Sequence, residues 1–523
     1  MCWLQAGLTG LLCVLAIAPR SLYFLAWFGF VPLLWAQRES TVKQAFMMGW
    51  FAGTIANLGN FYWVYELMIS HSATPAPLAL LGTILFCLQQ GLREAIWLGL
   101  SKMVLTKSRP PLLVYPIVYA ASEFLYPTIF PLHLSNTQAN CLWTHQAMDL
   151  AGPIGLSWIL MFLNVGLFLA IQKKNSYRQG ALAIALFAVT LGYGAFRVHH
   201  FEALMKRAPK LKAGIVQNNI GVGLSNLQQA QHQLQIAAKL AKNENPDFIV
   251  FPETGIKTPP PLHKRRGQEK FESASSRYYP LDMEVSSQDS QFSVQTGYKT
   301  PVIFGCTAID TKRAGPVPGR PALFNAVFML DAEGKVLGTA LKNKLLVFGE
   351  YVPGSSLFPW IYSKVLTKAS ALYAGTKPGL ISFQGHRIGI SICYEDILPD
   401  FSYDLIQKRP ELLVNLTNDG WFGQTAEPAT HLALAQARAI EARVYMVRAT
   451  CTGISAFIDP LGRTIQVSER DQVQALAQEI SWMPGGSLFG AIGSSFSWAC
   501  VVLSILWLCG FAKRTHLGTD KTL

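Results

Sequence analysis

The sequence predicts an α-helical transmembrane bundle of eight helices joined to an extramembrane α/β domain. Half of the 523 residues are hydrophobic and only 14% are charged, against a usual charged share of about 25%. The long apolar runs lie in residues 1–197 and 487–511, whereas residues 198–486 carry most of the charge. We therefore expect helices 1–7 over 1–197, a polar domain over 198–486, helix 8 over 487–511, and a cytoplasmic tail over 512–523.

Each predicted span holds about 20 mostly apolar residues, the length needed to cross a bilayer. The spans lie near residues 3–19, 21–37, 45–68, 77–104, 111–131, 154–172, 180–196 and 488–511. A cleaved signal peptide is the alternative for the first span, but no positive charge precedes it and a second apolar span follows almost at once. Cleavage would leave the polar domain on the same side of the membrane.

Lys and Arg in the short loops predict the orientation, because these residues accumulate on the cytoplasmic side. They occur in alternate loops and in the C-terminal tail, namely Arg38, Lys43, Lys102, Lys107, Arg109, Lys173, Lys174, Arg178, Lys513, Arg514 and Lys521. The intervening loops 71–77 and 132–153 carry none, and the first turn has only Arg20. We therefore expect a multi-pass membrane protein whose polar domain lies on the side away from the cytoplasm, which is the periplasmic side of the inner membrane if the source is a Gram-negative bacterium.

The composition also indicates which partners to expect. The net charge of +13 does not indicate nucleic-acid binding, because the basic residues are scattered and form no stripe with exposed aromatics. A membrane surface explains this charge better. The nine cysteines show no metal-ligand spacing, so neither a zinc site nor a disulfide framework is predicted. We expect no metal and no cofactor.

Four ionisable residues, Glu66, Arg93, Glu94 and Glu123, fall within the apolar spans. Such residues are costly in lipid and normally face the protein interior, a partner charge or a water-filled groove. Interhelical pairing explains them most simply, and substrate contact is the alternative. For substrate contact Arg93 is the best candidate to meet a lipid phosphate, and Glu123 is a further candidate.

Short β-type runs recur through the polar domain, with helices between them. Strands are predicted over 213–219, 247–253, 301–309, 322–330, 387–394, 412–418, 453–459 and 473–480, and helices over 224–243 and 429–444. This order predicts a layered α/β domain with a largely buried sheet. Glu253, Cys393 and Asn418 each end an apolar β run, a position that suits a catalytic side chain.

A carboxylate, an ammonium and a thiol follow one another in this domain as Glu253, Lys342 and Cys393. A thiol is a weak nucleophile until it loses its proton, which a nearby base such as Glu253 would accept. Attack on a carbonyl creates an oxyanion that Lys342 and a backbone N–H can stabilise. Each residue alone has an ordinary structural explanation, but the three together indicate covalent acyl chemistry.

The segments around these residues resemble the nitrilase or carbon-nitrogen hydrolase superfamily. The matching motifs are Phe251-Pro252-Glu253, the run from Lys342 to Glu350, and Cys393-Tyr394-Glu395. With seven predicted helices in front and one behind, the chain is similar to the membrane branch of that superfamily, the apolipoprotein N-acyltransferases. Gly49-Trp50-Phe51 and the run Asn418-Asp419-Gly420-Trp421-Phe422-Gly423 resemble that branch as well.

The resemblance implies a nitrilase-like αββα sandwich and an acyltransferase. The donor would be a membrane phospholipid, the intermediate a thioester on Cys393, and the acceptor the α-amine of a lipidated apolipoprotein cysteine. Glu350 would orient Lys342 or assist proton transfer, and the other supporting residues would be Tyr394, Glu395 and Asn418. The alternatives are a membrane-tethered amidase that releases its acyl group to water, and a non-catalytic transporter or sensor.

Two long insertions flank parts of this site. Residues 353–373 are too apolar for a plain surface loop and predict a lid or lipid entrance that dips into the membrane. Residues 257–299 fit either an arm over the site or a segment without fixed structure, and the sequence leaves both open. Trp360 in the first insertion and Trp421 are candidate substrate-binding residues.

Four positions depart from the pattern of the resembling branch. Tyr126, Val347 and Cys451 stand where that branch has Arg, Pro and Asn, and an expected Trp is missing near Asn226. The three catalytic candidates are intact, so the reaction class is unaffected. The departures bear on lipid and acceptor binding.

Overall fold

The computed structural model describes the chain in two parts, a helical region and a sheet domain. The described residues are 1–70, 74–105, 109–172, 177–221, 227–253, 279–280, 299–314, 321–347, 349–351, 354 and 372–518. The helical region comprises the helices before residue 208 and those after residue 487, and the sheet domain lies between them.

The helical region begins with nine described α-helices. They are α1 (Cys2–Ala16), α2 (Val31–Ala36), α3 (Val42–Phe61), α4 (Val64–Ser70), α5 (Ala76–Val104), α6 (Pro111–Leu125), α7 (Leu142–His145), α8 (Met148–Gln172) and α9 (Tyr177–Arg207). Three helices in the described part of the chain, α5, α8 and α9, are long and apolar enough to cross a membrane. The shorter apolar helical segments are Cys2–Ala16, Tyr23–Ala36, Pro111–Leu125 and Ser495–Gly510.

Several predicted spans differ from the observed helices. The second divides into a 3₁₀ helix over Tyr23–Trp27 and the short α2, which starts beside Pro32, a residue suited to a helix N-terminus. The third divides between α3 and α4. Helix α9 continues to Arg207, past the predicted boundary at residue 197, because Phe201 and Met205 on its buried face pack into the sheet domain.

Helices α3 and α5 approach one another through glycines. A Cβ atom at Gly49 would lie 2.5 Å from the carbonyl oxygen of Glu94, and one at Gly91 would lie 2.7 Å from the backbone nitrogen of Thr54. Gly53, one turn after Gly49, has the same close contact with α5. Small residues at this spacing allow close helix packing where lipid supplies no hydrophobic drive between helices.

The sheet domain contains fourteen described strands and three α-helices. The strands are β1 (Lys210–Gln217), β2 (Phe248–Val250), β3 (Tyr279–Pro280), β4 (Val302–Ala314), β5 (Pro321–Leu330), β6 (Val336–Leu341), β7 (Leu372–Tyr373), β8 (Gly379–Phe383), β9 (His386–Ile392), β10 (Leu412–Thr417), β11 (Tyr445–Thr450), β12 (Ala456–Ile458), β13 (Thr464–Val467) and β14 (Gln474–Ser481). The helices are α10 (Leu227–Glu244), α11 (Pro399–Ile406) and α12 (Glu427–Ala442). The chain then returns to the helical region through α13 (Leu488–Ile492) and α14 (Ser495–Gly518).

The strands form two sheets. The first has the order β14-β1-β2-β4-β5-β6, with β3 beside β4 and β7 beside β5, and the second has the order β13-β12-β11-β10-β9-β8. In the first sheet β1, β2 and β4 are parallel, and in the second β9, β10 and β11 are parallel. Helical crossovers connect parallel strands, so the carboxyl ends of each parallel set meet at one edge.

The two sheets pack face to face around a common core. This core includes Ile215, Val250 and Val327 from the first sheet, with Ile390 and Val414 from the second. Helix α10 covers the outer face of the first sheet and α12 the outer face of the second. The layers therefore run α-β-β-α, which confirms the nitrilase-like sandwich that the resemblance implied.

Helix α12 lies between the second sheet and the helical region. Ala435 and Ala439 pack toward the sheet, whereas Ala437 and Ile440 join the core of the helical region. The helix is buried on both faces, which its run of small residues permits. The helical region and the sheet domain consequently share one packed element.

A buried ion pair also connects the two parts. Arg443, just after α12, donates from Nε and Nη2 to Oδ2 of Asp149 at 2.9 and 2.6 Å. Arg197 of α9 reaches the same oxygen at 2.7 Å. Because Arg443 and Asp149 are at most 1% exposed, removing Asp149 would leave the buried Arg443 without its counterion, whereas removing Arg443 would leave Asp149 paired with Arg197.

Candidate active site

The three catalytic candidates follow three different strands. Lys342 comes directly after β6, Cys393 comes directly after β9, and Glu253 follows β2 after Phe251 and Pro252. Their exposed fractions are 1%, 6% and 5%. Glu253 and Lys342 come from the first sheet and Cys393 from the second, so the site lies where the two sheets meet.

Two carboxylates hold the ammonium group of Lys342. Its Nζ lies 2.9 Å from Oε1 of Glu350 and 3.4 Å from Oε1 of Glu253. Asn325 of β5 donates from Nδ2 to the same two oxygens, at 2.7 Å to Glu253 and 3.0 Å to Glu350. The other Glu350 oxygen accepts from Leu346 N at 2.9 Å. Within the described part of the chain, Oε2 of Glu253 has no hydrogen-bond partner, so it can accept a proton.

The nucleophile candidate sits on a sharp turn. Strand β9 stops at Ile392, a 3₁₀ helix covers Cys393–Ile397, and the φ angle of Cys393 is +56°. A residue with a side chain seldom adopts this left-handed conformation, and it persists only where its surroundings hold it. Asn415 of the neighbouring β10 supplies one contact, donating from Nδ2 to the carbonyl of Cys393 at 3.1 Å.

Glu395 ties the loop after the thiol to the loop after the ammonium. Its Oε1 accepts from the backbone N–H groups of Asn343 at 2.6 Å and Lys344 at 3.0 Å. Its Oε2 accepts from Ile392 N at 2.8 Å. Burial raises the pKa of Glu395 to about 7, and the three N–H donors oppose that rise. Glu395 therefore sets the distance between the two catalytic loops.

Tyr394 and Asn418 complete the set of supporting residues. The Tyr394 hydroxyl donates to the carbonyl of Leu345 at 2.9 Å, and its ring centroid lies 5.7 Å from Nζ of Lys342. Asn418 follows β10, next to the end of β9, and its side chain accepts from Gly420 N at 3.0 Å. Tyr394 thus borders the ammonium, while Asn418 shapes the adjacent turn.

The protonation of the site follows from its burial and its neighbours. Burial and the nearby Glu253 carboxylate raise the pKa of the Cys393 thiol well above its ordinary value, although the Lys342 ammonium lowers it. Burial also raises the pKa of Glu253. The ammonium of Lys342 lowers that pKa, and the charge of Glu350 raises it further. Burial lowers the pKa of Lys342, but Cys393, Glu253 and Glu350 outweigh it and hold that pKa well above its ordinary value. The resting site therefore contains a protonated thiol, an ammonium and a carboxylate of increased basicity.

An apolar cluster, which we call the aromatic cluster, borders the catalytic loops. It joins Leu346, Tyr394 and Phe422 of the sheet domain to Trp63 and Phe130 of the helical region. The Trp63 ring contacts the rings of Phe422 and Phe130 edge-on, at centroid distances of 5.1 and 5.0 Å. Apolar surface therefore continues from the catalytic loops into the helical region.

Comparison with known proteins covers both parts of the chain. Residues 212–480 match the carbon-nitrogen hydrolase family, and residues 9–166 match the apolipoprotein N-acyltransferase N-terminal domain. A relative from Bdellovibrio bacteriovorus with the name apolipoprotein N-acyltransferase is 30% identical, over 83% of this chain and 79% of its own length. The chain belongs to the apolipoprotein N-acyltransferase family. A relative of the same name from Geobacter metallireducens is 28% identical over 95% of this chain and 93% of its own length.

Solved structures of nitrilase-superfamily proteins also align with part of this chain. A mutant of the amidase from Nesterenkonia AN1 is 14% identical with a TM-score of 0.35, covering 53% of this chain and 93% of the amidase. Nit3 of Saccharomyces cerevisiae is 18% identical with a TM-score of 0.37, covering 52% of this chain and 90% of Nit3.

Arg93 and Glu123, two of the substrate-binding candidates, are engaged with the protein itself. Arg93 donates to Oε1 of Glu94 at 2.9 and 2.6 Å and to the carbonyl of Leu132 at 2.8 Å. Glu123 accepts from Leu134 N at 2.8 Å. Arg93 and Glu94 also line a cavity of about 50 Å³. These contacts favour a structural role, in which both side chains fix the segment after α6 to the helices.

The two tryptophan candidates have different outcomes. Trp421 is partly buried against the aromatic cluster, next to Phe422, and its contact with substrate stays a prediction. Trp360 lies outside the described residues, as do most of the insertions 257–299 and 353–373.

Cys451, one of the four departures from the acyltransferase pattern, contacts a catalytic candidate. Its Sγ donates to the carbonyl of Glu253 at 3.3 Å. The Tyr126 hydroxyl donates to the carbonyl of Gln89, and Val347 forms an isolated β-bridge with Tyr351. Asn226 lies outside the described residues.

Sequence reasoning missed three buried polar residues that the structure brings to the site. Asn325 and Arg448 each occupy a strand that is otherwise mostly apolar, and His431 lies on α12. Each is at most 4% exposed. A polar residue inside an apolar β run was the available signal for Asn325 and Arg448, since buried polar groups require partners.

Proposed function

We propose that this chain moves an acyl chain from a membrane phospholipid to the α-amine of the diacylglyceryl-cysteine of a lipoprotein precursor, through a thioester on Cys393. One observation carries the proposal. The thiol lies beside a buried charged centre, and the adjoining Tyr394 belongs to the aromatic cluster that reaches the helical region. An acyl chain bound along that cluster would present its ester carbonyl to the thiol.

In the first half-reaction the thiol of Cys393 attacks the ester carbonyl carbon. The S–C bond forms, the thiol proton passes to Glu253, and the carbonyl electrons move onto oxygen. The ammonium of Lys342 stabilises that oxyanion. When the tetrahedral intermediate collapses, the ester C–O bond breaks and the leaving lysophospholipid oxygen takes the proton from Glu253. The raised pKa of Glu253 suits a group that must both accept and return a proton.

In the second half-reaction the α-amine of the acceptor attacks the thioester carbonyl. The N–C bond forms, Glu253 takes a proton from the amine, and Lys342 again stabilises the oxyanion. Collapse breaks the S–C bond, and the departing sulfur of Cys393 recovers the proton from Glu253. An amide is released and the starting protonation state returns. Because Glu350 and Asn325 hold Lys342 and Glu253 in both steps, the geometry need not change between them.

Transfer in preference to hydrolysis requires that water be kept from the thioester. The triad is almost fully buried, and the aromatic cluster covers the side that faces the helical region. Both features support an intermediate that persists until an amine arrives.

We further propose that the helical region is an eight-span bundle and that the sheet domain lies on the periplasmic side. Large apolar side chains on α5 and α9 are exposed by 52–67% of their surface, namely Leu78, Leu80, Leu81, Leu85, Leu182, Ile184, Val189 and Phe196. Such a surface suits lipid and is too extensive for water. The alternation of Lys and Arg between loops supports the orientation.

Incubation of the purified protein with phospholipid tests the proposed reaction. The expected result is an added acyl mass on the intact protein, which persists in water and disappears when a diacylglyceryl-cysteine peptide with a free α-amine is added. The Cys393→Ala variant is the control and should gain no mass. Steady release of free fatty acid without the peptide would instead indicate an amidase. Full complementation by Cys393→Ala in cells depleted of the enzyme would indicate a non-catalytic role.

A further inference from the structure

A second group of buried charges lies next to the catalytic loops and takes no part in the mechanism above. We call Asp396, Asp419, His431 and Arg448 the charge network, and Glu427 lies at its edge. Their exposed fractions are 1%, 2%, 2%, 0% and 6%. Buried charges are costly unless they are paired, so four of them together require an explanation.

Each cation of the charge network bridges both carboxylates. His431 places Nε2 2.8 Å from Asp396 Oδ1 and Nδ1 3.0 Å from Asp419 Oδ1. Arg448 donates from Nη1 to Asp396 Oδ2, and its Nη2 lies 3.3 Å from Asp419 Oδ2. Two cations and two anions form a closed ring in which the partner of each group is fixed.

The two carboxylates belong to the two turns that form the site. Asp396 lies in the 3₁₀ helix that begins at Cys393, and Asp419 begins the 3₁₀ helix that follows Asn418. His431 comes from α12. The ring therefore fastens both turns to one another and to a helix that is buried on both faces.

A chain of hydrogen bonds leads from this ring to the nucleophile. Arg448 donates from Nη1 to Oδ1 of Asn415 at 2.9 Å. Asn415 in turn donates from Nδ2 to the carbonyl of Cys393 at 3.1 Å and to Oγ of Ser391 at 3.1 Å. The backbone is thus held before the left-handed residue by the contact of Asn415 with Ser391, and after it by Asn415 at the Cys393 carbonyl and by Asp396 in the following turn.

Three members of this group, Asp419, Glu427 and His431, are spaced as metal ligands can be. Burial and Arg448 lower the pKa of His431, but Asp396 and Asp419 outweigh them and raise it to about 10. The imidazole is then a cation that donates from both nitrogens, and a metal ligand needs one nitrogen free to accept. The hydrogen bonds of the charge network account for the cluster.

We propose that His431 and Arg448 are positioning residues for acyl transfer: they fix the strained backbone that presents the Cys393 thiol to Glu253. The inference rests on the proposed function. It assigns no contact with substrate to either residue. Its consequence is that disturbing the charge network slows chemistry and leaves phospholipid binding unchanged.

Kinetics of Arg448→Gln against a matched control test this inference. Arg438→Gln is the control, because Arg438 is also buried, at 3% exposure, but pairs with Glu441 of its own helix at 2.8 Å. For Arg448→Gln we expect the single-turnover acylation rate at saturating phospholipid to fall at least about tenfold below that of the control. The half-saturating phospholipid concentration should be unchanged. Equal rates in the two variants, or a loss confined to the half-saturating concentration, would overturn the inference.

A measurement without phospholipid separates this inference from the proposed function. Alkylation of Cys393 by iodoacetamide below the thiol pKa depends on Glu253 as base, whereas at high pH the free thiolate reacts without help. The ratio of the high-pH rate to the near-neutral rate cancels differences in access. We expect this ratio to be at least about fivefold larger in His431→Gln than in Arg438→Gln. An unchanged ratio would refute positioning, whether or not the unvaried protein is acylated by phospholipid.

Discussion

Glu253 is the residue on which most of the proposed chemistry depends. It is the proposed proton acceptor, it is buried, and its Oε2 has no hydrogen-bond partner within the described part of the chain. Glu350 shares the Lys342 ammonium with Glu253, so two carboxylates are paired with a single cation. This arrangement raises the basicity of the Glu253 carboxylate at the expense of the stability of the fold, as is common at catalytic sites.

Glu253→Gln is expected to abolish acylation and to stabilise the fold at a pH above the folded pKa of Glu253. Burial raises the pKa of Glu253 in the folded protein above its unfolded value. The proton is therefore held more tightly when folded, and this contribution to stability is lost as the pH rises through the folded pKa. Removing the ionisable group should raise the melting temperature above that pKa and have little effect below the unfolded one. Thermal unfolding across that pH range would contradict the expectation if the melting temperature of the variant, relative to that of the unvaried protein, did not rise with increasing pH.

Glu350→Gln should shift the pH dependence of the reaction. The charge of Glu350 helps to raise the pKa of Glu253, so removing it lowers that pKa. The acid limb of the pH profile of the acylation rate then moves to lower pH, because Glu253 stays deprotonated at lower pH values. The maximal rate should also fall, since Glu350 holds Lys342 at 2.9 Å. A pH profile whose acid limb stays in place, or moves to higher pH, would exclude this coupling.

At the residue scale, the sequence identified the side chains whose types carry the chemistry, but it missed those that hold them. Glu253, Lys342, Glu350 and Cys393 stand in motifs and could be recognised. Asn325 stands out only as a polar residue in an apolar run, and its role could not be assigned, because its partners are unknown until the strand register is known. Contacts between distant segments, such as that between Asn325 and Glu253, are fixed by tertiary packing.

At the scale of elements, the eight predicted strands all overlap observed ones, while six described strands were not predicted, namely the two-residue β3 and β7 and the longer β6, β8, β11 and β13. Strand β6 matters most, because it ends at the residue before Lys342. Its side chains alternate only weakly in burial, and it pairs with β5 across a turn at Asp331–Gly334. The residues of this turn were the feature of the sequence that could have predicted β6. The second predicted span shows the opposite error, in which two short helices were predicted as one. Hydropathy alone does not reveal a break inside an apolar run.

Glu395→Ala should destabilise the link between the catalytic loops. Glu395 accepts from three backbone N–H groups, and losing it leaves these buried donors unpaired. We expect a loss of about 2–4 kcal/mol in the free energy of unfolding, and a smaller loss for Glu395→Gln, which keeps one acceptor oxygen. Glu244→Ala, at a side chain that is 47% exposed, is the control and should change stability by less than about 0.5 kcal/mol. Denaturation of the purified variants would count against this role if alanine and glutamine were equivalent to the control.

Trp63→Ala should increase the loss of acyl groups to water. Trp63 connects Phe422 of the sheet domain to Phe130 of the helical region, and its removal opens the aromatic cluster beside the thioester. The measured quantity is the ratio of free fatty acid to amide product. Trp498→Ala is the control, because Trp498 is 54% exposed and packs against Phe124, a residue outside the aromatic cluster. A ratio no higher in Trp63→Ala than in Trp498→Ala would show that the cluster does not exclude water.

At the scale of the whole molecule, the division into an apolar and a polar part could be predicted because composition differs sharply between them. The way in which the two parts are connected could not be predicted, because it depends on contacts between segments far apart in sequence. Helix α12 packs against both parts, and Arg443 meets Asp149 across nearly three hundred residues of chain. The sheet domain is therefore fixed to the helical region, which holds the catalytic loops beside the surface where lipid would enter.

Mass spectrometry of the intact protein extracted from its own membranes tests the central claim most directly. We expect one added acyl chain, located on Cys393, absent from Cys393→Ala and removed by a diacylglyceryl-cysteine peptide with a free α-amine. An unmodified Cys393, or an acyl chain carried by a different residue and transferred at the same rate by Cys393→Ala, would contradict it.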